Sequence, residues 1–220
     1  SPEDKKMMDS MGIKMPDTKT IKQNISGITD AQLQKAYEDD NRIVPNRDAA
    51  RINTALAVTL PNAAMSAYIN KTHQAVLTKL SPITKSKAAE LLQQINHEKS
   101  SVANTAVGLW IDGKPTLALY LIGEACKTNP ANTNDLNNYA AFLSMCGAEE
   151  KALPILTNLN NRYPQNSSIL NNIAQAWLGL GDVLRAEKYA DSAILIYAAH
   201  PQANMAKCLI EESKGNIPAA

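Results

Sequence analysis

The sequence predicts an all-α fold, a right-handed superhelical stack of helix-turn-helix repeats preceded by additional N-terminal helices. Three observations support this prediction: glycines recur every 34 residues, alanines recur with the same period, and aromatic residues make up only 5% of the chain. A core of small and aliphatic side chains suits closely packed helices better than stacked β-strands. The 45% hydrophobic content is ordinary for a folded protein with a core.

Residues 1–27 show no sustained hydrophobic period, and we expect them to form an extended or partly ordered N-terminal arm. Four methionines in this arm would form one apolar stripe over two helical turns: Met7, Met8, Met11 and Met15. We favour the interpretation that the stripe covers an apolar patch on the same molecule. Contact with a partner or a membrane surface is the alternative.

Residues 28–98 are predicted to be helical and to pack on the first repeat. The last two helices of this region would form a divergent hairpin. A repeat stack needs such a cover, because the apolar side of its terminal hairpin otherwise faces water. From the caps and prolines, the four helices run from Thr29 or Asp30 to before Pro45, from a cap at Asn46 through Leu56, from about Pro61 to Leu80, and from about Pro82 to Asn96.

The 34-residue period divides residues 99–220 into repeats 99–132, 133–166 and 167–200 and a partial repeat 201–220. Glycine is expected to end the first helix of each pair, because it adopts positive φ without a steric penalty. Small residues on both helices let their axes approach within about 8 to 10 Å. Because the fourth repeat stops at its twentieth place, we expect that the chain continues or that something else covers its last helix. The columns are Gly113, Gly147, Gly181 and Gly215; Ala106, Ala140, Ala174 and Cys208; and Ala118, Ala152, Ala186 and Ala220.

These columns resemble the tetratricopeptide repeat family, whose 34-residue unit has small residues at its eighth, twentieth and twenty-seventh places and proline at its thirty-second. Pro130 and Pro164 match the closing proline, whereas Ala198 replaces it in the third repeat. Leu159 is large at a twenty-seventh place, where we expect a looser contact. Pro154 lies within a predicted second helix, where we expect a slight kink or a late helix start.

The resemblance implies that the first helix of each repeat lines a concave groove. In this chain the inward-facing places hold amides, and an amide offers a donor and an acceptor to the backbone of an extended peptide. Because asparagine is frequent at the sixth place throughout the family, a lining without a binding role is the alternative. The lysines and arginines with which some members clamp a chaperone carboxylate are missing. The predicted peptide-binding residues are Asn104, Asn134, Asn137, Asn138, Asn171, Asn172 and Gln175.

No catalytic residue, metal site or cofactor is predicted. The three histidines lie far apart in sequence and are expected at the surface or its boundary, and the three cysteines lack metal-ligand spacing and are expected to be small core residues. No glycine-rich phosphate loop occurs. We therefore expect that the protein is not an enzyme. The residues concerned are His73, His97 and His200, and Cys126, Cys146 and Cys208.

The charge pattern argues against a nucleic-acid partner. The net charge is +1, from 22 basic and 21 acidic residues, and no block of like charges forms a basic surface. The densest cluster is expected to be a solvated helix end with mutual ion pairs and not an ion site. No apolar run approaches the ~18 residues that suggest a membrane-spanning helix. The cluster comprises Glu38, Asp39, Asp40, Arg42, Arg47, Asp48 and Arg51.

The sequence therefore predicts a protein-protein interaction scaffold that binds a protein or extended peptide, with no small-molecule substrate evident. The alternative is the helical, non-catalytic part of a larger enzyme or of a secretion or assembly complex. The compartment is periplasmic or otherwise extracytoplasmic if Ser1 follows a cleaved signal peptide, and cytoplasmic if it does not. The identity of the partner and the oligomeric state do not follow from these patterns.

Overall fold

The computed structural model describes residues 47–78, 82–98 and 102–216, which fold into ten α-helices and one short 3₁₀ helix, with no β-strand among them. The predicted arm 1–27 and the helix predicted before Pro45 lie outside the described residues. The all-α stack of helical hairpins is confirmed. In chain order, with the 3₁₀ helix Asn62–Ala64 after the first, the helices are α1 Ala49–Leu56, α2 Met65–Leu77, α3 Pro82–Glu98, α4 Val102–Ile111, α5 Pro115–Thr128, α6 Thr133–Met145, α7 Glu149–Arg162, α8 Ser167–Gly179, α9 Val183–Ile196 and α10 Pro201–Ser213.

The helix boundaries keep the 34-residue register of the sequence. The first helices α6, α8 and α10 begin 34 residues apart, and so do the second helices α5, α7 and α9. The first helices α4, α6 and α8 each pack against the second helix of their own repeat and against the first helix of the next. The period therefore reports one structural unit, a helix pair that buries its apolar sides on its neighbours.

The four glycine turns that end first helices have the same backbone geometry. The glycines have φ values of 72°, 75°, 73° and 80° at Gly113, Gly147, Gly181 and Gly215. In each turn the N–H after the glycine donates to a carbonyl five residues earlier, as Ala148 N donates to Leu143 O at 2.8 Å. This satisfies carbonyls that the helix end leaves unpaired, and it requires the left-handed conformation that glycine adopts freely.

The small-residue columns lie where the helices touch. The alanines of the eighth and twentieth places in the first three repeats are completely buried. Cys208, at the eighth place of the last repeat, is exposed, as is Cys146, so the expectation that all three cysteines are core residues was wrong. Cys126 alone is buried, and its burial raises the pKa of its thiol. An eighth-place residue in the first three repeats is covered by the second helix of its own repeat, and no second helix of the last repeat is among the described residues.

Pro154 does not delay its helix. Helix α7 begins at Glu149, in register with α5 and α9, and continues through Pro154 to Arg162, so the expected late start was wrong. Packing of α7 against α1, α6 and α8 outweighs the backbone hydrogen bond that proline removes. Leu159 is completely buried in the same core, where its larger side chain fills space that alanine occupies in the flanking repeats.

Residues 47–78 are here called the N-terminal strap. As the strap proceeds from its start to its end, it contacts the third repeat, then the second and then the first. Helix α1 packs against α7, and both α2 and α3 pack against α5. The main helix contacts of α2 and α3 are with the first repeat, and those of α1 are with the second repeat. Asp48 caps α1 by accepting from Arg51 N at 3.0 Å, in the place predicted for Asn46, which is outside the described residues.

Polar contacts fix the strap to the turns of the repeats. Arg51 donates to Gly147 O at 2.8 Å and pairs with both Glu149 and Glu150. Closer to the start of the strap, Arg47 pairs with Asp182 at 3.3 Å, and Asp48 N donates to the carbonyl of Leu180 at 3.1 Å. The charged cluster was therefore wrongly expected to pair mainly within itself, because the repeats supply the partners for its two described arginines. Of its acidic members, Asp48 caps α1, and Glu38, Asp39 and Asp40 lie outside the described residues.

Candidate functional site

A polar cavity of about 450 Å³ lies across the N-terminal halves of α4, α6 and α8. It is the place where the first helices of three consecutive repeats come together, and we call it the amide groove. Four of the seven predicted binding residues line it. The lining residues are Ala103, Asn104, Asn132, Thr133, Asn134, Asp135, Asn137, Asn138, Asn166, Ser168 and Ile169.

The other three predicted residues lie outside the lining of this cavity. Asn172 Nδ2 donates to Asn137 Oδ1 at 3.0 Å and thereby links α8 to α6. Asn171 is buried, with Nδ2 donating to Asn172 Oδ1 at 3.3 Å and Oδ1 buried without a partner among the described residues. Gln175 Nε2 donates to the carbonyl of Gln202 at 3.3 Å. Asn172 and Gln175 therefore connect helices, and Asn171 bonds to its neighbour within α8. Asn134 and Asn138 have no side-chain hydrogen bond within the described ranges.

Sequence reasoning missed two residues of the groove, Asn132 and Asn166. They cap α6 and α8: Asn132 Oδ1 accepts from Asn134 N at 3.1 Å, and Asn166 Oδ1 accepts from Ile169 N at 3.1 Å. Their role as caps could have been predicted from the sequence, because an asparagine at the same repeat place just before a helical run is a typical N-cap. In the next repeat His200 occupies this place, with Nδ1 accepting from Ala203 N at 3.3 Å.

The groove is nearly free of charge. Helices α4, α6 and α8 contain one side chain that is charged at neutral pH, Asp135. Burial raises the pKa of this carboxyl, which accepts a hydrogen bond from Asn132 Nδ2 at 2.7 Å. No group of three or more metal-ligating side chains occurs within the described residues. The chemistry available in the groove is therefore neutral hydrogen bonding.

A second polar cluster surrounds His73, where α2 packs on α5. His73 is completely buried, so the expectation that the histidines lie at the surface was wrong for it, and His200 is also buried. His73 Nε2 lies 2.7 Å from Glu124 Oε1, and Lys127 Nζ lies 3.0 Å from the same oxygen. The His73 ring also stands 5.2 Å from the Tyr120 ring and 6.3 Å from the Tyr139 ring. The cluster joins the strap to the repeats.

Acidification is expected to destabilise this junction. Burial lowers the pKa of His73 below its ordinary 6.5, an effect that Glu124 opposes and Lys127 reinforces. Because the unfolded chain then binds a proton more readily than the folded one, the stabilisation is present above about pH 6.5 and declines as the pH falls below it. Urea unfolding of the wild type should give a lower midpoint at about pH 5.5 than at about pH 7.5. A His73→Gln variant should show a smaller difference, and an equal difference in both proteins would contradict the assignment.

Comparison with known proteins gives limited likeness. No protein-family model matches the sequence, and no curated protein matches it. Among solved structures, the chain is similar to the fragment of MamA from residue 41 to the end, from Desulfovibrio magneticus RS-1, at 14% sequence identity and a TM-score of 0.48. The alignment covers 69% of this chain and 86% of that chain. The interpretation of the groove therefore depends on the geometry of this chain.

That geometry defines a class of protein. Paired helices in a 34-residue register, glycine turns at positive φ and buried alanines at the helix contacts form a tetratricopeptide-like helical repeat fold. None of the described helices has the length and apolar composition needed to cross a membrane.

Proposed function

We propose that this protein is a non-catalytic binding module that holds an extended peptide segment of a protein partner in the amide groove. The main observation that supports this proposal is the amide-lined cavity of about 450 Å³ across three consecutive repeats. The volume falls within the ~300 to 1,000 Å³ range of ordinary ligand pockets. Its lining supplies hydrogen-bonding groups with almost no charge, and this composition fits a peptide backbone.

The hydrogen-bonding capacity of the groove supports this proposal. Each asparagine side chain has one acceptor oxygen and two donor hydrogens, so it can pair with both polar groups of a peptide unit. Asn134 is exposed and Asn138 half-buried, and neither side chain has a partner in the described part of the chain. Both remain available to a ligand. Asn137 is already engaged with Asn172, which fixes the groove wall between α6 and α8.

Replacing the two available amides should weaken peptide binding without unfolding the protein. Short random peptides selected from a display library on the wild type provide the probe, and their affinities are measured by fluorescence anisotropy. Each exchanged hydrogen bond contributes about 0.5 to 1.5 kcal/mol net. The Asn134→Ala/Asn138→Ala variant should therefore bind roughly 5-fold to 100-fold more weakly. Binding should also change little with salt, because the groove has almost no charge to be screened.

Asn161→Ala is the matched control, since Asn161 is an exposed asparagine on α7, outside the groove. It should bind the selected peptides as the wild type does. Circular dichroism melts establish that all variants are folded. Equal affinity of the groove variant and the control would place the peptide elsewhere and refute the proposal.

A further inference from the structure

On the first helices, the face that carries the groove amides is polar near the start of the helix and apolar toward its end. On α4, Asn104 shares a helix face with Val107 and Ile111, three and seven residues later. On α6, Asn138 shares its face in the same way with Met145. Val107 is 41%, Ile111 78% and Met145 57% exposed. These three side chains, here called the apolar strip, adjoin the polar cavity on the same helices.

The strip is confined to the first two repeats. Ile111 and Met145 occupy the same place in successive repeats, whereas the third repeat has Gly179 there, which carries no side chain. On the same two helices, the Trp110 and Phe142 rings stack with centroids 5.0 Å apart and an interplanar angle of 14°. This contact joins α4 to α6, so the strip lies on a surface whose two helices are held together by packed aromatic rings.

The charge of the groove restricts what can lie on it. Asp135 is the one charged side chain that α4, α6 and α8 offer at neutral pH, and it lies at the polar end. Away from Asp135, a charged ligand group bound along this face would lose water without gaining an opposite charge. An uncharged segment loses less hydration free energy on binding. The neutrality of the groove and its continuity with the strip therefore point to the same kind of occupant.

We propose that the groove selects an uncharged peptide segment that places its backbone on the amides and one large aliphatic or aromatic side chain on the apolar strip. This inference rests on the proposed peptide-binding function and specifies the ligand class. Seven helical residues separate Asn104 from Ile111, a rise of about 10 Å along the axis. An extended chain covers that distance in about three residues. The apolar side chain should therefore lie about three residues from the backbone units that the amides hold.

The sequences of the peptides selected on the wild type give the first test. Asp, Glu, Lys and Arg should be depleted in them, and a large apolar residue should recur at one place. A selected peptide is then synthesised with that residue intact and with alanine in its place. The Ile111→Gln/Met145→Gln variant should bind the intact peptide roughly ten-fold more weakly than the wild type, because burial of apolar surface is lost. It should bind the alanine peptide almost as the wild type does.

Leu184→Gln/Leu195→Gln is the matched control, because it removes two apolar side chains, 74% and 88% exposed, from α9 outside the groove. It should bind both peptides as the wild type does. Selected peptides rich in charged residues, or equal losses for the intact and alanine peptides, would overturn this inference and leave amide-dependent binding standing. Failure to select any peptide whose affinity depends on Asn134 and Asn138 would overturn both this inference and the proposed function.

Discussion

A Gly123→Ala substitution should destabilise the protein by about 1 to 3 kcal/mol, although glycine to alanine ordinarily stabilises a helix interior by roughly 1 kcal/mol. Gly123 lies inside α5, and a Cβ atom built on it would be 2.2 Å from His73 Nδ1 and 2.5 Å from His73 Cε1. The His73 ring is completely buried beside Tyr120 and Tyr139 and has little room to move. Urea unfolding at neutral pH measures the loss.

The matched control for this prediction is Gly108→Ala. Gly108 also lies inside a helix, α4, but nothing stands within 4 Å of a Cβ built there. This variant should gain about 0.5 to 1 kcal/mol, because alanine loses less conformational entropy on folding. In a His73→Ala background, the Gly123→Ala cost should largely disappear, since the opposing ring is gone. Stabilisation by both single alanine variants would show that the strap does not pack closely on α5.

Replacement of either buried eighth-place alanine by leucine, as Ala140→Leu or Ala174→Leu, should cost on the order of 1 to 3 kcal/mol. Both alanines are completely buried where a first helix meets its neighbours, so the added atoms must displace packed side chains or backbone. Urea midpoints of the two variants should fall relative to the wild type.

Ala141→Leu is the control for the eighth-place variants. Ala141 follows Ala140 in α6 but is half-buried, on the side of the helix that carries Asn138. Its replacement should change the midpoint little, because the larger side chain can extend into solvent. An unchanged midpoint for both eighth-place variants would contradict the register in which the helices are paired.

The repeats were predictable from the sequence because their constraints are local and periodic. The glycines Gly147 and Gly181 indicate turns that need positive φ. The alanines Ala140 and Ala174 indicate close helix contacts. In both cases the residue type alone predicts the structural role. The amide of Asn138 was predictable in the same way, because Asn104 and Asn172 recur at the same place, and Asn134 lies one turn earlier on the same helix face. The effect of Pro154 was not, because packing around α7 decides whether the helix tolerates it.

The remaining differences arise from contacts between residues far apart in the chain. His73 and Arg51 carry no motif, and their roles depend on Glu124 and on Glu149, which lie 51 and 98 residues away. Asn172 follows the same 34-residue pattern as Asn138, but close approach of α8 to α6 engages it with Asn137, and Asn171 in turn donates to Asn172. Periodicity predicts which residues lie on one face of a helix. It does not predict which of those side chains will be hydrogen-bonded to the neighbouring helix.

The reversed course of the N-terminal strap has a consequence for folding cooperativity. A linear array of helix pairs is held by contacts between adjacent units and can lose its end units one at a time. Here Arg47 and Asp182, 135 residues apart, are joined across the array, and Arg51 joins the turn of the second repeat. These connections close large loops, which slows folding but couples the units. Fraying of the third repeat must break the contacts of Arg47 and Asp48 with its turn, so we expect the strap to couple unfolding of the third repeat to that of the first two.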